Sequence, residues 1–280
     1  MFIYGCRMTT SSINLTWRGV AVSLTCTDEG AGPVHLVLHG GAGPQSMRGL
    51  AQALAGAGRV IAPVHPGFNG TPRPDSLSRV HDLASLYAEL LAALGLQRVI
   101  IIGNSVGGWI AAELALLAPE RVAGVALLNA CGIDTGTDQP IPDPMAMTPA
   151  ERAAAVFHDP GRALFAPTPE AAAALAANQR TLRVYAGEPF MHDPGLRQRL
   201  AGLAVPAVVL WGESDRIVDL AYGRRFAASM PAASFHAIAQ AGHFPQIERP
   251  DAVFHHLAAL RGSVTDVRGD LLHTNSALFR

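Results

Sequence analysis

The chain reads as an α/β protein: a mostly parallel sheet flanked by helices, with a helical segment inserted between two strands. Three observations predict this. Short apolar runs rich in β-branched residues alternate with helical patterns over residues 34–128, the rhythm of a parallel sheet covered on both faces. The rhythm stops after Cys131, and residues 149–199 hold helical patterns full of Ala and Arg, without a strand. Strand chemistry then resumes at Pro206-Ala207-Val208-Val209-Leu210-Trp211.

Taken in order, residues 12–27 alternate weakly and predict antiparallel strands at a sheet edge, closed by a turn over 28–33. Val34-His35-Leu36-Val37-Leu38 is a short strand that runs into His39-Gly40-Gly41-Ala42-Gly43. Residues 46–57 predict a helix and 59–63 a strand; Gly and Pro punctuate 65–71 as a loop. Residues 76–95 predict a helix, because Leu83, Leu86, Leu90, Leu91 and Leu94 share one stripe. The apolar run 99–102 stops at Gly103-Asn104-Ser105-Val106-Gly107-Gly108, and a helical pattern follows at once over 109–117. A strand over 122–128, another over 234–239 and a helix over 250–261 complete the sheet and its cover. This divides the chain into a core (12–131 and 200–261), a helical cap (132–199), an N-terminal extension (1–11) and a polar C-terminal tail (262–280) expected to be loosely ordered. Met8 offers a second start, so residues 1–7 read as a leader or a misassigned beginning.

Composition removes several function classes. The chain has 280 residues, enough for one α/β domain with an insertion, and a formal net charge of -1. Its basic residues are all Arg, scattered without a stripe, which argues against a nucleic-acid surface. The absence of Lys excludes Schiff-base catalysis, a P-loop lysine and Ser-Lys dyads. Cys6, Cys26 and Cys131 have neither metal-ligand nor Cys-x-x-Cys spacing, and their odd number favours a reducing, cytoplasmic setting. No apolar run reaches membrane-spanning length. A dinucleotide fingerprint is also missing, so the expected partner is a small-molecule substrate, with no cofactor and no metal. Oligomeric state is left open.

The chemistry gathers at the ends of predicted strands. A buried strand that becomes a helix within a few residues needs small neighbours, and Gly103 and Gly107 stand two residues either side of Ser105. Such a turn strains the serine backbone and holds its hydroxyl beside the positive end of the next helix. A serine hydroxyl becomes nucleophilic when a base takes its proton and a carboxylate orients that base. Asp215 ends the loop after the 206–211 strand, and His243 lies in the loop after 234–239, at the same sheet edge. Glu213 is the fallback acid. Taken alone, Gly-x-Ser-x-Gly is more often a plain turn, and Asp215 also suits a helix cap near Val218. Placement of each motif at the end of a strand favours the catalytic reading.

Gly103 to Gly107, His39-Gly40-Gly41-Ala42-Gly43, Asp215 and Gly242-His243-Phe244-Pro245 together resemble the α/β-hydrolase family over residues 15–261, in the family's chain order. The resemblance implies Ser105 as nucleophile, His243 as base and Asp215 as orienting acid. It implies an oxyanion hole from the N–H groups of Val106 and Gly41, with Gly40 as second choice. Residues 132–199 resemble the caps that roof the site, and Asn104, Trp109, Phe157, Arg180, Arg183 and Phe244 are the substrate-pocket candidates. Met145, Met147, Phe165, Tyr185, Phe190 and Met191 are further ones.

The first expectation is a carboxylesterase acting on a small apolar ester through an acyl-enzyme. Gly-Asn-Ser-x-Gly-Gly also resembles the C–C bond hydrolases of meta-cleavage pathways, which hold a substrate carboxylate with a cap arginine; Arg180 or Arg183 would do this. Phe244 stands where those enzymes carry Trp, and Ala42-Gly43-Pro44-Gln45 departs from their loop. Proline iminopeptidases, which share the glycine-rich loop, come third. A non-enzymatic binding protein of this fold would be expected to have lost part of the triad or Gly41, and this chain keeps all of them.

Overall fold

A computed structural model describes residues 9–137, 140–163 and 168–274. Its sheet begins with β1 (Thr10–Trp17) and β2 (Val20–Glu29), followed by β3 (Val34–Leu38), β4 (Arg59–Pro63) and β5 (Val99–Asn104). It ends with β6 (Val122–Leu128), β7 (Ala207–Gly212) and β8 (Ala233–Ile238). The spatial order is β1-β2-β4-β3-β5-β6-β7-β8. β1 and β2 pair antiparallel, as does β2 with β4; every other neighbour pair is parallel. The predicted antiparallel edge and parallel body are therefore both present.

Period-two alternation sorts the strand residues onto two faces. Leu36, Leu38, Ile101, Leu127 and Val209 pack with α2 (Val80–Ala93) and α3 (Val106–Leu117). Val37, Ile100, Ile102, Ala126 and Leu210 pack with α1 (Arg48–Ala55) and the C-terminal helix. The strands at the centre are buried on both faces, which is why they read as unbroken apolar runs.

Between β6 and β7 lie α4 (Pro149–Val156), α5 (Pro169–Ala186) and α6 (Leu196–Leu200). Thr148 caps α4 in a reciprocal bond pair with Glu151, and Thr168 caps α5. Both helices are tied to the sheet-edge loops. Asn178, Thr181 and Tyr185 of α5 bond to Asn69, Gly67 and Pro66 respectively. The exit of α4 accepts the N–H of Arg216 at Ala155 O and that of His243 at Val156 O.

After β7 come α7 (Leu220–Ala228) and, beyond β8, α8 (Pro245–Glu248) and α9 (Pro250–Thr274). The helix predicted to stop at residue 261 continues to Thr274. The apolar stripe carries on past the expected end: Val253, Leu257, Leu260 and Val264 are all buried against the sheet at helical spacing. Residues 1–8 and 275–280, with their questions of chain start and tail order, lie outside the described residues. Among the described residues, no helix is long and apolar enough to cross a membrane.

Candidate active site

Ser105 occupies the turn between β5 and α3 with φ 57° and ψ -123°, a conformation that strains a residue with a side chain. Its backbone is held from several directions. Ser105 N–H donates to Leu128 O, and its carbonyl accepts from Gly108, Trp109 and Cys131. The flanking glycines answer to close approach. A Cβ on Gly103 would lie 2.1 Å from Gly107 O, and one on Gly107 would lie 2.4 Å from Leu38 O. The elbow predicted from the sequence is therefore built as expected, with Val106 as the first residue of α3.

His39 sets the neighbouring loop. Its Nε2 accepts the His65 backbone N–H at 3.0 Å, so Nδ1 carries the proton and donates to Gly40 O at 2.8 Å. His65 in turn donates from Nε2 to His39 O and accepts the Tyr87 hydroxyl at Nδ1. Burial pushes the His39 imidazole down to about 4, and burial with His39 beside it holds His65 well below the ordinary histidine range, so both rings are neutral near pH 7. Gly40 O also accepts from Gly43 N–H. A trans peptide points its N–H away from its C=O. Anchoring Gly40 O to His39 therefore turns the Gly41 N–H away from His39, and Gly41 itself lines the cavity described below. Leu182 of α5 comes down on this residue: a Cβ at 41 would lie 2.5 Å from Leu182 Cδ2. Gly40 packs against the serine itself, with Ser105 Cβ 3.1 Å from where its Cβ would be.

Asp215 and His243 meet at the same edge. His243 Nδ1 donates to Asp215 Oδ2 at 2.8 Å, leaving Nε2 as the ring nitrogen available to Ser105. Asp215 Oδ1 accepts the N–H groups of Ile217 and Val218, so the carboxylate also caps a turn, the bland role weighed for it. Its Oδ2 accepts a further bond from Asn129 Nδ2 at 2.6 Å. Glu213, the fallback acid, is exposed. Ser105, Asp215 and His243 are all buried.

Ser105 and His243 line a cavity of about 380 Å³ that is mainly apolar. Phe157 and Phe244, two of the pocket candidates, line it with ring centroids 5.5 Å apart, and Phe190 and Met191 line it as well. The other pocket candidates lie elsewhere. Asn104 is buried behind the elbow, where Nδ2 donates to Leu128 O and His243 O; it braces the site without facing it. Trp109 is packed in the core against Gly132. Arg180 and Arg183 are exposed, and Arg183 pairs with Asp143. Asn178, Leu182 and Tyr185 take the inward face of α5, and at 100° per residue positions 180 and 183 fall on the outer side. Tyr185 is buried below Pro66, Met145 and Met147 are not among the lining residues, and Phe165 lies outside the described residues.

The sequence reading missed Arg152 and Gln179. Among the described residues, Arg152 of α4 is the arginine that lines the cavity, held by Pro144 O at 2.9 Å and Met147 O at 3.1 Å. Gln179 lines it too and donates from Nε2 to Gly41 O at 3.2 Å. It missed Glu248 as well, a buried carboxylate that accepts the N–H groups of Gly242, His158 and Asp159 and so joins the His243 loop to the exit of α4. The capping box Thr148–Glu151 marks where α4 begins, but no local signal in the sequence marks Arg152 as facing the cavity.

A family model described as "Alpha/beta hydrolase family" matches residues 36–256. The 2-hydroxy-6-oxo-6-phenylhexa-2,4-dienoate hydrolase of Burkholderia cepacia is 27% identical over 250 residues, covering 80% of this chain and 86% of that protein. The 2-hydroxy-6-oxononadienedioate/2-hydroxy-6-oxononatrienedioate hydrolase 1 of Dechloromonas aromatica (strain RCB) is 30% identical over 258 residues, covering 82% and 87%. Among solved structures, a meta-cleavage product hydrolase of Pseudomonas fluorescens IP01 superposes with TM-score 0.73 at 22% identity, over 90% of this chain and 97% of that one. A thermophilic esterase of Thermogutta terrifontis also gives TM-score 0.73, at 23% identity over 91% and 99%. At such identities the two structures speak for the fold alone.

Proposed function

The chain belongs to the alpha/beta hydrolase family and is a hydrolase, and from that premise we propose that it cleaves a C–C bond in a small meta-cleavage-type diketone carrying a carboxylate. The observation that carries this reading is a Ser-His-Asp constellation opening into an apolar cavity with an arginine on its wall. The names of the relatives support it, since hydrolases of 2-hydroxy-6-oxo-dienoates align over most of both chains. Arg152 takes the carboxylate-binding role expected of Arg180 or Arg183.

Ser105 Oγ attacks the ketone carbon while His243 Nε2 takes its proton, and Asp215 stabilises the resulting imidazolium. The negative oxygen of the tetrahedral intermediate lies between the N–H groups of Gly41 and Val106; losing one such donor costs about 3 kcal/mol of transition-state stabilisation. Collapse breaks the adjacent C–C bond. Its electron pair leaves as a conjugated enolate, and the imidazolium returns its proton to that fragment. Water, deprotonated by His243, then cleaves the acyl-enzyme to release the acid and regenerate Ser105.

Ester hydrolysis, the first expectation from sequence, becomes the second reading. The same triad and apolar cavity support it, but the aligned relatives are named for C–C cleavage. The iminopeptidase reading has less support, because no carboxylate among the described residues lines the cavity to hold an amine.

A substrate panel tests the order. A carboxylated vinylogous diketone, a short-chain p-nitrophenyl ester and a proline amide are compared by kcat/KM. We expect the diketone to lead by at least about tenfold, a 1.4 kcal/mol preference. An ester that outperforms it would move the ester reading to first place.

A further inference from the structure

Asn129 directly follows β6, with a left-handed backbone (φ 44°) that asparagine tolerates better than most residues. Its side chain is entirely buried and makes two bonds of opposite sense. Oδ1 accepts the Gly212 N–H at 3.2 Å, at the end of β7, and Nδ2 donates to Asp215 Oδ2 at 2.6 Å. The Gly212 bond fixes which way round the amide lies. Turned over, it would set NH₂ against an N–H and its oxygen against a carboxylate. The carboxylate oxygen that Asn129 holds is the one that accepts His243 Nδ1–H.

We propose that Asn129 is a positioning residue of the triad, acting through Asp215: it aims Oδ2 at His243 and draws off part of its negative charge. The proposal rests on the Ser105, His243 and Asp215 reading above. Its consequence concerns basicity. A donor on the shared oxygen weakens that oxygen's hold on the imidazolium, and losing the amide strengthens that hold.

The other titratable or charged groups near His243 stay in place when Asn129 is changed. Glu248 binds Gly242 N–H beside it, and His158 follows α4. Arg152 and Ser105 share its cavity. Cys131, whose thiol burial pushes up to about 12, sits next to Asp215 and Ser105 at the end of β6.

The test is the pH dependence of the second-order rate of inactivation by a fluorophosphonate, for wild type and Asn129→Leu, which keeps the branching at Cγ but is bulkier and has no donor. The acid limb should move up by about half to one pH unit, and the plateau rate should fall by about tenfold as Asp215 loses its second anchor. Asn129→Ala, which demands no space, carries the same expected direction should the leucine not fold. A folded variant whose plateau falls while the limb stays put would reduce Asn129 to packing and overturn the proposal. Wild type that fails to react, or Asp215→Asn that reacts like wild type with an unmoved limb, would instead overturn the triad reading.

Discussion

Four hydrogen bonds converge on the Asp215 carboxylate, from Ile217, Val218, Asn129 and His243, and they explain why one acid of the Glu213–Asp215 pair is engaged while the other faces solvent. Residue-level chemistry of this kind was unevenly legible. Ser105, Asp215 and His243 announced themselves because each ends a strand, and strand ends of a parallel sheet share one edge. Asn129 did not, although it too ends a strand, because its partner is 86 residues away and no local pattern reports that contact. Arg152 was hidden differently: the sequence offered several arginines in the insertion, and helix phase decided among them. At this scale, Arg152→Gln should raise KM for the carboxylated diketone by roughly 10- to 100-fold, the worth of one charge-assisted hydrogen bond. KM for a neutral p-nitrophenyl ester should stay within about twofold. Equal effects on both substrates would assign Arg152 to architecture.

Elements behave as the periodicities dictate where packing and pattern agree. The fully buried strands β5, β6 and β7 are unbroken apolar runs, and α2 follows its leucine stripe. The continuation of α9 was not read from the sequence because residues after 261 look polar, although Val264 carries the buried stripe beyond Leu260. Val264 is buried against the same cluster as Leu260, so Val264→Ala should lower stability by about 1–2 kcal/mol. Urea unfolding checks this; an unchanged midpoint would mean that the last turns of α9 contribute nothing to the fold. The helices between β6 and β7 were legible as helices, but their grip on the sheet edge was not. Gln179 on Gly41 O, Thr181 on Gly67 O and Val156 O on His243 N–H are long-range bonds to backbone atoms, which leave no trace in local composition.

Over the whole molecule, the buried pair His39 and His65 links the oxyanion loop, the 65–71 loop and α2 through Tyr87. Both rings have folded-state values below the ordinary 6.5. The unfolded chain therefore binds more protons than the native one in the acid range, and stability rises with pH there. The contribution is complete above about 6.5 and is lost as pH falls toward about 4, roughly 3 kcal/mol for His39 alone. Tm should therefore drop between about pH 7 and pH 4.5, and less steeply in His39→Asn, which keeps a donor for Gly40 O but has no ring to protonate. Equal slopes would remove His39 from the account.

Fluorophosphonate labelling followed by peptide mass mapping tests whether this hydrolase works through Ser105. A single adduct is expected on the peptide containing Ser105, formed in step with loss of activity, with neither adduct nor turnover in Ser105→Ala. Labelling or turnover that persists in that variant would contradict it.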